Sequence, residues 1–394
     1  MVPFEIWASP EPTVARIDAA TYRDQIVDTG HESREGDLDL LAGLGISATR
    51  YPVLFERVAP CAPDVLDLAW ASRRLERLRE LGVEPIVTLL HHGGGPRYTS
   101  LNDPEFPSYF ARYAAGIARA FPWVRRWTPI NEPLTTARFS TLYGHWYPTA
   151  TDDASFGRAI VNEALAMLLA MEAIAAVNPV AQFMITEDLQ GFTALDRVVE
   201  TYVAHKRERS YLSIELVMGR VRPGHALYAY LTQQCDVSVA DLERVERHAR
   251  PPDLVGWNYY PNSERALGAR ADGTFFNEAL HLHGRIAALP LLRAAHDRIG
   301  LPFGLSEVHR SGDAGVRVAW LAERMHDLRE LHDAGCPVRM LGAWAAFGLV
   351  DWTSLLRLRR DDVEDGVFAF ARADETPQET EVSRAVRVLA LAAR

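Results

Sequence analysis

Two glutamates stand out by position: Glu132, in Trp127-Thr128-Pro129-Ile130-Asn131-Glu132-Pro133, and Glu307, in Leu305-Ser306-Glu307. Each ends an apolar run that has the composition of a buried strand. The same pattern recurs at Arg50, at His91-His92, at Glu187 and at Asn258-Tyr259-Tyr260, which makes six run ends in all. Core packing gains nothing from a charged or amide side chain, so the repetition points to one shared polar pocket. Two carboxyls facing each other across such a pocket suit the cleavage of a sugar acetal. The protonated one gives its proton to the leaving oxygen, and the ionised one attacks the anomeric carbon. A gap of about 5–5.5 Å leads through a covalent intermediate, whereas a wider gap admits water and inverts the centre. Spacing along the chain does not give this gap.

Positioning these groups requires strands whose ends share a face. Short apolar runs lie at Phe4–Ala8, Ser47–Tyr51, Glu84–Leu90, Val124–Asn131, Gln182–Glu187, Leu254–Asn258, Pro302–Glu307 and Val338–Phe347, eight in number. Amphipathic stretches fall between them, among them Leu66–Leu81, Phe156–Ala176 and Ala314–Ala334. Glycines such as Gly45, Gly82 and Gly300 close several of these stretches, as helix C-caps do. Eight strand–helix units in one chain of 394 residues predict a single-domain α/β fold, a (β/α)8 TIM barrel spanning residues 1–394. No GxGxxG follows the first strand, which argues against a dinucleotide-binding sheet. Pro129 inside the fourth strand calls for a bulge or an early end. Residues 188–253 exceed one helix and a turn, so a helical insertion after the fifth strand is expected.

With 48% hydrophobic and 24% charged residues, the chain has the balance of a globular protein with a large core. The net charge of −10, without a basic run interleaved with aromatics, disfavours nucleic acid as a partner. Cys61, Cys235 and Cys336 form no CxxC pair, and the amino terminus carries neither a basic leader nor a long apolar run. No uncharged apolar segment of about 18 residues occurs. A cytoplasmic protein with no membrane partner is expected.

The stretch around Asn131-Glu132-Pro133 resembles the acid/base motif of glycoside hydrolase family 1, and Leu305-Ser306-Glu307 its nucleophile segment. Ala48-Thr49-Arg50-Tyr51-Pro52, Val87-Thr88-Leu89-Leu90-His91 and Gly256-Trp257-Asn258-Tyr259-Tyr260 resemble its second-, third- and sixth-strand motifs. More narrowly, the chain is similar to family-1-like domains found fused to dTDP-4-dehydrorhamnose reductase. Those domains carry runs like His91-His92-Gly93-Gly94-Gly95-Pro96-Arg97-Tyr98 and Leu142-Tyr143-Gly144-His145-Trp146-Tyr147-Pro148. They also have endings like Gly342-Ala343-Trp344 with Asp351-Trp352 and Gly366-Val367-Phe368. The resemblance implies a retaining β-glycosidase without a cofactor, acting on a small-molecule glycoside or oligosaccharide by hydrolysis or transfer. Glu132 would be the acid/base and Glu307 the nucleophile. Asn131 would meet the sugar 2-hydroxyl, His91 the glycone hydroxyls, and Arg50 and Tyr260 would flank Glu307. Three departures bear on the substrate: Glu11 replaces a glutamine, Val308-His309 replaces Asn-Gly, and Ser354-Leu355 stands where a Glu-Trp sugar clamp is usual. The missing clamp leaves a second reading open, a non-catalytic carbohydrate-binding barrel or an accessory protein of nucleotide-sugar metabolism.

Other candidates carry competing readings. His91, His92 and His145 invite a metal, but adjacent residues on a strand point apart and no HExxH occurs, so no metal is expected. Glu187 is either a third pocket carboxylate or a helix-entry acid. Gly93-Gly94-Gly95 reads as a flexible mouth loop rather than an anion cradle, lacking the Lys-Ser/Thr of a phosphate loop. Among Trp146, Trp257, Trp344 and Trp352, Trp257 is expected in the barrel wall. Trp146, on a long loop over Pro133–Ser155, is the expected stacking platform, with Tyr143, His145 and Trp344 nearby as substrate contacts.

Overall fold

Eight parallel strands close into a barrel in the computed structural model, which describes residues 2–283 and 288–393. They are β1 (Glu5–Ala8), β2 (Ala48–Pro52), β3 (Glu84–His91), β4 (Arg126–Asn131), β5 (Gln182–Asp188), β6 (Leu254–Tyr259), β7 (Phe303–Val308) and β8 (Val338–Ala343). Each pairs with its neighbours in chain order, and β1 closes the ring on β8 through Glu5–Met340 and on β2 through Trp7–Ala48. Nearly every strand residue is buried, since helices cover the outside and side chains fill the inside. Trp7, Ala48, Ile86, Met184 and Met340 plug the amino-terminal end of the barrel. The carboxyl-terminal end is thereby left as the place for a cavity.

The outer layer includes α1 (Asp37–Gly43), α2 (Ala69–Glu80), α3 (Phe106–Ala120), α4 (Pro133–Thr141), α5 (Asp153–Val177), α6 (Glu200–Arg209), α7 (Val239–His248), α8 (Ala288–Ile299), α9 (Ala314–Asp333) and α10 (Glu381–Ala392). Asp152 caps α5 by accepting the Ser155 N–H, and Asp313 does the same for α9 through Val316. By length and composition α5 could span a bilayer. It packs instead against α3, α4 and α7, and it buries Glu163 among apolar neighbours.

Four expectations need correction. The β8 strand ends at Ala343, not at Phe347: beyond it Trp344 N–H bonds Val308 and Ala346 N–H bonds Ser9, which turns the chain across the barrel mouth. The insertion after β5 is not purely helical. It opens with the strand Gly191–Ala194, which joins Glu264–Ala269 and Phe275–Ala279 in a three-stranded sheet before α6, the helix Leu212–Val217 and α7 follow. The segment Pro133–Ser155 is not one long loop, because α4 begins at once, with Pro133 at its first turn where a missing N–H costs nothing. Gly93-Gly94-Gly95 is not a loose mouth loop: Gly95 N–H bonds the buried Glu56 carboxyl, and Tyr22 donates to Gly95 O. A Cβ at Gly93 would fall on the Glu56 carboxyl, which explains the glycine. Pro129 is accommodated by the expected irregularity, a register shift between β4 and β5 over Trp127 to Asn131.

Candidate active site

Glu132 follows β4 directly and is the N-cap of α4, held at φ 47° and ψ 60°. Its N–H bonds Thr186 O on β5. That left-handed backbone is uncommon for a side chain of this size and persists where the surroundings enforce it. The carboxyl receives a hydrogen bond from Asn258 Nδ2 at 2.7 Å, and His92 Nε2 lies 3.9 Å from it. Burial pushes the Glu132 carboxyl well above the ordinary range, and the charges of Asp188, Glu307 and Glu187 push the same way.

Glu307, one residue before the end of β7, sits in a different environment. Arg50 Nη2 donates to one oxygen and the Tyr260 hydroxyl to the other. Burial raises this carboxyl too, but Arg50, Tyr260 and Asn258 all oppose the rise. Arg50 is itself fixed by Asn131, which accepts from Nη1 at 2.8 Å, and its guanidinium lies over the Trp344 ring at 5.0 Å. Asn131 Oδ1 also accepts from Thr186 at 2.7 Å, and Ser306 donates to Asn258 Oδ1 at 2.6 Å. Asn131, Asn258 and Arg50 thus form a buried network behind the carboxyls.

Both glutamates line one cavity of about 760 Å³ at the carboxyl-terminal mouth, together with Glu11, His92, Tyr260 and Trp344. Glu11 accepts from Thr13 N–H at 2.8 Å and from Trp344 Nε1 at 3.2 Å. Burial and the charge of Glu307 lift its pKa to about 7. Tyr143 and His145 line the outer part of the same cavity. Burial and Arg50 bring His92 down to about 3, and burial, His92 and Arg50 take His91 well below its usual value, so both imidazoles are neutral.

Several sequence-based assignments change. His91 packs among the inward-facing groups of the site: it stacks on Trp344, with centroids 5.7 Å apart and planes at 4°, accepts from Asn131 Nδ2, and has Nε2 3.9 Å from Glu11 Oε1. His92, one residue past the end of β3 and held at φ 54°, lines the cavity beside it. Glu187 is turned out of the barrel, and its neighbour Asp188 lines the cavity instead. Glu187 accepts from Leu134 N–H in the first turn of α4, at 2.9 Å, and from Ser213 at 2.8 Å. It serves the helix that begins at Glu132, satisfying an N–H that the helix leaves free. Trp146 is almost wholly buried, with Nε1 bonded to Leu355 O, so it shapes the wall and offers no open platform. Trp257 lies in the barrel wall as expected. Among the described residues, no group of three His, Cys, Asp or Glu side chains converges as metal ligands do.

Sequence reasoning missed Arg138, Gln190, Lys206, Arg265 and His309, all of which line the cavity. His309 bonds Trp344 O and Glu364. Arg138 carried a usable signal, being on the helix that follows Glu132. Lys206 and Arg265 come from the insertion and the small sheet, where no strand-end pattern applies.

A closed parallel barrel with paired carboxyls at its carboxyl-terminal mouth is the architecture of a sugar-cleaving enzyme. Residues 6–273 match the model of glycosyl hydrolase family 1, and the chain belongs to that family. It is 24% identical over 371 residues to a 6-phospho-beta-glucosidase of Dickeya chrysanthemi, covering 83% of this chain and 77% of that one. A bifunctional beta-D-glucosidase/beta-D-fucosidase of Bifidobacterium breve is 32% identical over 127 residues, 29% of this chain and 27% of that protein. A solved beta-glucosidase from Thermotoga maritima shares the fold, with a TM-score of 0.78 at 14% identity over 99% of this chain and 98% of that one. The protein is a glycoside hydrolase.

Proposed function

We propose that the protein is a retaining β-glycosidase that works by double displacement. Glu132 is the general acid/base and Glu307 the nucleophile. The observation that carries this reading is the opposed setting of two buried carboxyls on one cavity. Glu307 holds a guanidinium and a phenol that favour its anion, whereas Glu132 has an amide and no cation within ion-pair distance among the described residues. Pairs of carboxyls whose surroundings differ in this way divide into acid and base. The Asn258 side chain donates to Glu132, and its nearness lowers the pKa of Glu307. A retaining course accords with the family that residues 6–273 match.

In the first half-reaction Glu307 Oε attacks the anomeric carbon, and Glu132 passes its proton to the departing oxygen. Glu132, now a carboxylate, then takes a proton from water, whose oxygen displaces Glu307 from the sugar. Arg50 and Tyr260 hold the attacking carboxylate ionised and aimed. His92, Glu11 and Trp344 are placed to contact the sugar ring, and Tyr143 and His145 the outer part of the substrate. The runs His91–Tyr98 and Leu142–Pro148 further ally the chain with the family members fused to dTDP-4-dehydrorhamnose reductase, and a β-glucosidase-like activity accords with the relatives above.

The two roles separate on leaving group. Glu132→Gln is expected to lose about 10²- to 10⁴-fold in kcat/KM on aryl glycosides with poor leaving groups, and far less on dinitrophenyl glycosides, which need no proton. Equal losses on both would contradict the acid role.

A further inference from the structure

Beyond Glu132 the cavity has a wall rich in positive charge. Arg138 on α4, Lys206 on α6 and Arg265 on the strand Glu264–Ala269 all line it. None of the three makes a carboxylate ion pair among the described residues. Arg138 is held by Gln190 Oε1 and Thr135 Oγ1, both at 3.0 Å, and Arg265 by Asn277 Oδ1 at 2.9 Å. These neutral acceptors fix the guanidiniums without cancelling their charge.

Lys206 is the least expected member. It is only 3% exposed, its ammonium lies 4.8 Å from the Phe192 ring centre and 5.2 Å from that of Tyr202, and it pairs with no carboxylate among the described residues. Burying an ammonium without an anion is costly, and a fold retains such a group where a ligand completes it. Burial brings Lys206 down to about 8, with Arg209, Arg138 and Arg265 pushing the same way and Tyr143 opposing. Burial would raise the Tyr143 phenol, but Arg138, Lys206 and Arg209 outweigh it and bring it down to about 8.

The acids nearby neutralise the wall only in part, the charge of Asp188 acting on Arg138 and Arg265 and that of Glu278 on Arg265. Asp188 is bonded by Ser263 at 2.5 Å and lies between the wall and Glu132, and burial raises its carboxyl. Asp153 is taken by the Tyr230 hydroxyl. The wall comes from the connections after β4, β5 and β6, on the side of the proton donor, whereas Glu11, Trp344 and His309 line the side of Glu307. A substrate cut between the two glutamates therefore turns its leaving group toward the cations.

We propose that Arg138, Lys206 and Arg265 form a leaving-group subsite for an oxyanion, so that the preferred substrates are β-glycosides whose aglycone carries a phosphate or carboxylate group. This rests on the assignment of Glu132 as proton donor, because that assignment says which half of the cavity receives the aglycone.

The test compares 4-nitrophenyl β-D-glucoside with its 3-carboxy-4-nitrophenyl counterpart at low salt. The wild-type protein is expected to favour the carboxylated substrate in kcat/KM by about tenfold or more, the scale of a partly buried charge contact. Lys206→Met and Arg265→Gln are each expected to remove most of that ratio. In the wild type the ratio is expected to fall as pH rises through about 8, where Lys206 loses its proton. A wild-type ratio near one, or a ratio unchanged in both variants, overturns the subsite while leaving the glycosidase reading intact. Absence of turnover of either substrate counts against the glycosidase reading, and calorimetric titration then tests the wall alone. The probes are inorganic phosphate and 3-carboxy-4-nitrophenol: binding that weakens in Lys206→Met supports the subsite, and the tighter probe identifies the oxyanion. Failure of the wild type to bind either overturns it.

Discussion

The cavity has two halves built in different ways. Its floor is a ring of strand ends, where Arg50, Asn131, Asn258 and Glu307 are joined by direct hydrogen bonds and almost no polar atom faces water. Its outer wall comes from α4, α6, the small sheet and the crossing after β8, and its Arg138 and Arg265 guanidiniums are held by neutral acceptors. Strand ends are spaced by the ladder and cannot shift singly, so they suit chemistry that tolerates little displacement. Connections vary in length without disturbing the barrel, so they suit the choice of substrate. The floor thus defines a reaction, and the wall defines what is brought to it.

This contrast can be broken in order of expected effect. The largest loss falls on the floor. Arg50→Gln leaves Glu307 buried without its cation, so the Glu307 pKa rises further. The acid limb of the kcat/KM–pH profile is then expected to move upward, and the rate at neutral pH to fall by about 10²-fold or more. In the wild type both limbs are expected above the ordinary carboxylate value of 4.5, because burial raises Glu307 and raises Glu132 strongly. The sign is that activity needs Glu307 ionised and Glu132 protonated, so it is lost below the first pKa and above the second.

A smaller effect is expected one layer behind the floor. Glu187→Gln keeps the shape but replaces one acceptor oxygen with a donor amide beside Leu134 N–H and Ser213. Thermal unfolding is expected to report a loss of about 1–3 kcal/mol, the cost of unsatisfied buried partners. The kcat value is expected to fall with KM nearly unchanged, because α4 starts at the proton donor. A rise in KM alone would place Glu187 in contact with substrate. The wall substitutions come last, and they are expected to alter selectivity between substrates more than the rate of any one.

The barrel was legible because parallel buried strands write themselves as apolar runs, and the six polar run ends mark its carboxyl-terminal face. Within the site, legibility stopped at the alternation of side chains. At Glu187-Asp188 the outward-turned residue was read as a pocket residue, and the inward one was overlooked. A one-residue shift in strand phase exchanges the faces, and composition does not set that phase at a strand's last residue. The wall was invisible for a different reason. Lys206 and Arg265 come together only through the small sheet, whose strand Gly191–Ala194 is too short to carry a pattern. Trp146 was misplaced because an aromatic ring on a presumed loop carries no mark of burial, and its actual partner, Leu355 O, lies in a distant turn.

The most direct test of the double displacement is to trap its intermediate. Incubation with an activated 2-deoxy-2-fluoro-β-glycoside, which slows the second step more than the first, should give a protein heavier by one fluorosugar. Peptide mass spectrometry should place the label on Glu307, and Glu307→Gln should take up none. A label on Glu11 or Glu132, or steady turnover with no adduct and inversion at the anomeric carbon, would contradict the account.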